Sequence, residues 1–248
     1  MHNKQQFFRI LCVALACVTS VTLVAGMLVT PAFTQNPVSR TAQPVVPQPS
    51  QPCNGPPTKA VIDWAQFRFA PCHTGFNPYE FVLSPATVGS LALHWSYQTG
   101  GSIYSSPAVA AGVLYVGSLS PTLFALNAST GALLWKYTMG SYVHGGPAVD
   151  NGVVYVGSAD GNVYALNAGT GALLWKYTTA NYVYSSPAVA NGVVYVGSAD
   201  GNVYALNANT GALLWRYTTA IGVESSPAVA NGAVYVGTSD GYLYAFGL

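Results

Sequence analysis

Four residues spaced 40 apart, Tyr104, His144, Tyr184 and Glu224, collect the side chains most able to do chemistry in this chain. A histidine and a carboxylate can exchange a proton or hold a metal ion, and tyrosines can hydrogen-bond to a ligand or stack on it. A second column, two residues earlier, adds Tyr142 and Tyr182. One His and one Glu fall short of the three or four protein ligands of a zinc site, so no metal is expected. The other acids are few. Of seven Asp and Glu in all, Asp160, Asp200 and Asp240 each precede a glycine, where the side chain serves the turn itself. The two columns therefore read as a face for a protein or small-molecule ligand, with no catalytic residue assigned.

These columns belong to a repeat. Trp95, Trp135, Trp175 and Trp215 share the 40-residue spacing, as do Pro107, Pro147, Pro187 and Pro227. A period of this length marks a solenoid or a propeller. Val-Val-Tyr-Val (153–156), Asn-Val-Tyr-Ala-Leu (162–166) and Leu-Leu-Trp-Lys-Tyr-Thr (173–178) are short runs rich in β-branched and aromatic residues. Asn-Gly, Asp-Gly and Thr-Gly pairs separate them, and no window carries a helical stripe. In the unit 185–219 the runs 185–190, 193–198, 202–207 and 212–219 predict four antiparallel strands joined by tight turns. That is one blade of a β-propeller. The predicted fold is all-β, with about four such blades over residues 91–248.

The ends of the array match each other. Residues 91–99 align with a fourth strand, and 242–248 with a third. The N-terminal strand could complete the last blade and close the ring. Alternatively, the chain is an open arc that pairs with a second copy as a homodimer. On a closed four-blade ring His144 and Glu224 would face each other across the axis.

Repeats 151–190 and 191–230 differ at five positions, three of which are Asn181/Ile221, Tyr182/Gly222 and Tyr184/Glu224. The scaffold is held while one link varies. In a propeller that link, from a fourth strand to the next first strand, lies at the mouth of the central channel. Loops are also where drift is best tolerated.

Residues 1–35 carry a basic start and an apolar run from Ile10 to Val29, ending in Thr-Pro-Ala. This predicts export, by a cleaved signal or a retained membrane anchor. The Pro/Gln-rich stretch 36–58 reads as a linker, and 59–90 as a lead-in to the repeats. Outside the cytoplasm Cys53 and Cys72 could form a disulfide. Only 6% of residues are charged and the net charge is +1. The lone cations Lys136, Lys176 and Arg216 form no basic patch, which argues against nucleic acid.

The segment Ala-Leu-Asn-Ala-Ser-Thr-Gly-Ala-Leu-Leu-Trp (125–135), recurring at 165–175 and 205–215, resembles the tryptophan-docking motif of quinoprotein (PQQ-repeat) β-propellers. Asn127, Asn167 and Asn207 stand where that motif has an acid. The resemblance implies that Trp95, Trp135, Trp175 and Trp215 pack between neighbouring blades, against turns holding Gly131, Gly171 and Gly211. Asp63-Trp64-x-x-Phe67 and His73-Thr74-Gly75-x-Asn77-Pro78 resemble the lead-in of the same proteins. For the enzymes of the family it implies pyrroloquinoline quinone held with calcium, an Asp base and a disulfide between adjacent cysteines. This chain has no adjacent cysteine pair and no cluster of acids. The expectation is therefore a non-catalytic binding or scaffolding module without a cofactor. A quinone-binding dehydrogenase, or the remnant of one, is the alternative.

Overall fold

The computed structural model describes residues 65–68, 77 and 80–248. The export segment, the linker, the Cys53–Cys72 pair and most of the lead-in lie outside the described residues.

Among the described residues fifteen strands form four antiparallel sheets. The first holds β1 (Ala108–Ala110), β2 (Val113–Ser118), β3 (Thr122–Asn127) and β4 (Leu133–Thr138). The second holds β5 (Ala148–Asp150), β6 (Val153–Gly157), β7 (Asn162–Asn167) and β8 (Leu173–Thr178). The third holds β9 (Ala188–Ala190), β10 (Val193–Ser198), β11 (Asn202–Asn207) and β12 (Leu213–Thr218). The fourth has only β13 (Ala228–Ala230), β14 (Ala233–Gly237) and β15 (Leu243–Gly247). Strand order follows chain order in each sheet, and successive sheets meet through their three-residue first strands. Those first strands line the inner side of an arc of propeller blades.

Local sequence explains the blade. In the turn between first and second strands, Asn191 (φ 51) and Gly192 (φ 76) both adopt positive φ. This is the type I′ geometry that Asn-Gly favours, and its twist suits a two-residue hairpin. In the first blade the same turn is built on Ala111, at φ 50. Between third and fourth strands, Asn127 Oδ1 accepts the Ser129 and Thr130 N–H groups at 3.0 and 2.9 Å. Asn167 and Asn207 repeat this. A neutral amide oxygen thus does the acceptor's work at the position where the family motif has an acid.

The fourth strands carry a register shift: Ala125 pairs with Trp135 but Leu126 pairs with Leu133, which leaves Leu134 as an extra residue. The same shift recurs in the next two blades. A bulge of this kind re-aims the side chains beyond it, and here it precedes each tryptophan. Trp135 Nε1 donates to Ala168 O at 2.9 Å and Trp175 Nε1 to Ala208 O at 2.9 Å, each in the following blade. Their rings lie over glycines with no space to spare. A Cβ on Gly171 would come within 2.6 Å of Trp135 Cε3. Tyr115 and Tyr155 donate to the same two carbonyls, at 3.0 and 3.2 Å. The core lies between blades, where Leu123, Val163, Val203 and Leu206 are fully buried.

Of the two arrangements open to the sequence, the chain adopts the arc. Residues 91–99 lie against the first blade, with Trp95 Nε1 on Ala128 O at 3.1 Å and Tyr97 edge-on to Phe124. They pair with no strand among the described residues, and β15 pairs only with β14. The lead-in does something that the sequence did not announce. Ala65 O accepts the Val149 N–H and Gln66 Oε1 the Val189 N–H. It thereby satisfies donors on the inner edges of β5 and β9.

Candidate functional site

The links that follow β4, β8 and β12 alternate strictly. Val143, Val183 and Val223 point inward and are fully buried. Gly117, Gly157 and Gly197 receive them, since a Cβ at any of the three would collide with the valine. Backbone bonds fix the same point: Val143 N–H donates to Ser118 O at 3.0 Å, Val183 N–H to Ser158 O at 3.1 Å and Val223 N–H to Ser198 O at 2.9 Å. With the middle residue buried, its two neighbours turn outward. Those neighbours are the variable columns picked out by the sequence.

The columns come together into one aromatic rim. Tyr104 stacks on His144 with ring centres 5.6 Å apart and planes 12° from parallel. His144 meets Tyr184 at 5.3 Å. Tyr182 and Tyr142 stack on Tyr184 at 5.4 and 6.0 Å, and the Tyr142 and Tyr184 hydroxyls share a 2.7 Å hydrogen bond. Tyr104, His144 and Tyr182 are exposed. Glu224, also exposed, is near enough for its charge to act on Tyr184. Burial, the bond to Tyr142 and the neighbouring charges together push the Tyr184 phenol well above its ordinary range. It therefore stays a neutral hydrogen-bonding group at physiological pH. His144 meets the rings of the links on either side of its own, Tyr104 and Tyr184. Stacking runs from one blade to the next, because consecutive links are spatial neighbours on an arc.

Beside the rim, the Asp-Gly turns act as clamps. Asp160 Oδ2 accepts Gly140 N–H at 2.9 Å and the Tyr164 hydroxyl, while Oδ1 accepts Asn162 N–H at 3.0 Å. Asp200 does the same with Ala180, Tyr204 and Asn202. Burial alone would raise these carboxyls, but the donated hydrogen bonds outweigh it and hold both below the usual range. Each carboxylate ties its own turn to the start of the neighbouring link, so the acids position the rim and take no part in its exposed chemistry. The sequence assigned them to their turns; the bond across to the link is new. What the rim offers is flat aromatic faces, phenol hydroxyls and one imidazole. No group of three or more His, Cys, Asp or Glu that could hold a metal ion occurs among the described residues.

The fold has many relatives. BamB from Moraxella catarrhalis matches with a TM-score of 0.57 and 27% identity, over 62% of this chain and 49% of that one. A quinohemoprotein alcohol dehydrogenase from Pseudomonas putida HK5 matches with a TM-score of 0.64 and 26% identity, over 71% of this chain and 34% of that one. A europium-containing methanol dehydrogenase matches with a TM-score of 0.56 and 27% identity, over 63% of this chain and 32% of that one. The chain thus spans from a third to half of the length of these relatives. No curated protein matches it significantly in sequence. The family model described as outer membrane protein assembly factor BamB, a PQQ-repeat model, matches residues 86–185 and 160–247. With more than half of its length matched and the repeated Trp-on-Gly blade contacts in place, the chain belongs to this family of PQQ-like β-propellers.

Proposed function

We propose that this chain is a non-catalytic, extracytoplasmic binding module that holds a protein partner on its aromatic rim. The observation that carries the reading is the continuous run of ring contacts Tyr104–His144–Tyr184, flanked by Tyr142 and Tyr182 and raised on buried valines. Exposed aromatic side chains give large contact area at low entropic cost, which suits protein recognition. The kinship with an outer membrane protein assembly factor supports a protein partner and an envelope location. The basic and apolar start of the chain supports export, by a signal or an anchor.

Relatives in the same fold class include a quinohemoprotein alcohol dehydrogenase and a europium-containing methanol dehydrogenase, but the acids among the described residues do not fit quinone with calcium. Calcium takes six to eight oxygen ligands, usually several carboxylates among them. Asp160 and Asp200 commit both oxygens to internal donors. Glu224 lies near Tyr184, with no second carboxylate acting on that site.

The test places a photo-crosslinking amino acid at His144 or Tyr182 in the full chain, expressed in its own cell envelope. Leu174, exposed on the outer strand β8, is the control. Protein adducts at the two rim positions and none at Leu174 are expected. Adducts equally at all three, or at none, overturn the partner-binding reading. Saturable stoichiometric uptake of pyrroloquinoline quinone with calcium, followed by its absorbance, overturns the non-catalytic one.

A further inference from the structure

We propose that the aromatic rim takes a proline-rich segment in the polyproline II conformation, and that residues 44–52 of this chain occupy it in cis. This rests on the reading of the rim as a partner-binding surface, and it names what that surface recognises and what a partner must displace.

The sequence supplies the segment. Pro44-Val-Val-Pro47 and Pro49-Ser-Gln-Pro52 are two Pro-x-x-Pro runs in succession, outside the described residues. A polyproline helix repeats every three residues, so the two prolines of each run share one side. Its backbone makes no internal hydrogen bonds, and the stretch 41–58 carries no charged residue. Such a segment offers pyrrolidine rings and unpaired carbonyls. Surfaces that bind it pair aromatic faces with hydrogen-bond donors.

The rim has both. Tyr104 and Tyr182 are 64% and 48% exposed, the first nearly parallel to His144 and the second to Tyr184. Phenol hydroxyls and the imidazole are the donors. Other modes of peptide binding lack their requirements here. The links are not strands, and the N–H groups of Val143, Val183 and Val223 are already bound, so the rim gives no ladder to an added strand. Neither rim column holds a Lys or Arg, so an acidic or phosphorylated motif finds no cation to pair with. The one charge in these columns is Glu224, whereas the charges that bracket the proline stretch are Arg40 and Lys59. Their opposite sign favours this segment.

The lead-in brings the segment to the rim. Ala65 packs on the core and its carbonyl accepts the Val149 N–H, while buried Gln66 accepts the Val189 N–H at 3.2 Å. Val149 and Val189 follow His144 and Tyr184 by five residues, at most about 18 Å of chain. From Ala65 back to Pro52 is thirteen residues, which as polyproline reach about 40 Å. The stretch is therefore tethered within range of both rings. A tether of this kind holds its segment at an effective concentration on the order of 1 mM, so even weak binding in cis competes with a partner in trans.

A photo-crosslinking amino acid replaces Tyr182 in the purified full-length chain, and its adducts are mapped by mass spectrometry. Mixing isotope-labelled with unlabelled chains separates adducts within a chain from those between chains. Adducts within one chain to residues 41–58 are expected, and none from Leu174. They should be lost when Pro44→Ala, Pro47→Ala, Pro49→Ala and Pro52→Ala are combined, with tryptophan emission unchanged because every blade is intact. No adduct to this stretch, an adduct formed only between chains, or one that survives the four substitutions overturns the proposal. In the cell envelope the same variant should give at least about twice the yield of protein adducts at His144. A detectable yield that does not rise overturns occupancy in cis. Envelope adducts with none to 41–58 sink this proposal and spare the partner-binding reading; adducts to 41–58 with none to any envelope protein do the reverse.

Discussion

Replacing Gly171 by Ala tests whether the tryptophan stack sets the blade-to-blade contact. Two effects act at this residue. Its φ of +72° lies in the left-handed region, which costs an alanine about 1–2 kcal/mol. The added Cβ would also sit 2.6 Å from Trp135 Cε3 and 2.8 Å from Cδ2. The ring cannot easily yield, since its Nε1 is held on Ala168 O at 2.9 Å. Overpacking of this kind costs about 1–3 kcal/mol. Gly192 separates the two effects: its φ is +76°, and a Cβ there meets nothing within 4 Å. Gly192→Ala should therefore show the backbone cost alone, and Gly171→Ala should lose about 1–3 kcal/mol more. In thermal unfolding of a domain this size, each kcal/mol moves the midpoint by roughly 2–4 °C. Circular dichroism and tryptophan fluorescence would both follow the transition. Equal losses in the two variants would refute the idea that the ring over Gly171 is a close-packed contact.

The hairpin turn of the first blade predicts a gain: Ala111→Asn, at φ 50, should raise stability by about 0.5–1 kcal/mol in urea unfolding, because Asn tolerates the left-handed region. Tyr155→Phe removes the 3.2 Å bond to Ala208 O in a buried site and should cost about 1–2 kcal/mol. Burial, with the Asp150 charge behind it, pushes the Tyr155 phenol up to about 12, so an ultraviolet alkaline titration of the Phe variant should show one late-ionising tyrosine fewer than the wild type. Asp160→Asn should lower stability at pH 7 by roughly 1 kcal/mol after solvent screening. Because the folded carboxyl is held below its unfolded value, its stabilisation is full above pH ~4 and fades as pH falls through the folded value. The gap to the wild type should therefore close in acid, and a gap that widens below pH 4 would contradict the clamp.

The blade was legible in the sequence because each strand has local causes. The expected runs 193–198 and 202–207 are β10 and β11 to the residue. The run 185–190 shortened to β9, since residues 185–187 belong to the link, where Ser185 Oγ accepts Gly197 N–H. The rim was legible for a different reason. Repeats that differ at five positions point to whatever they change. The direction of stacking could not be read, because it depends on the step between blades. That step is set by Val143, Val183 and Val223 packing into glycine-sized gaps and by carbonyls shared between Tyr and Trp. Neither contact has a sequence signature beyond its period. The anchoring of the lead-in was hidden too: one backbone carbonyl and one glutamine at a separation of more than 80 residues leave no pattern to find.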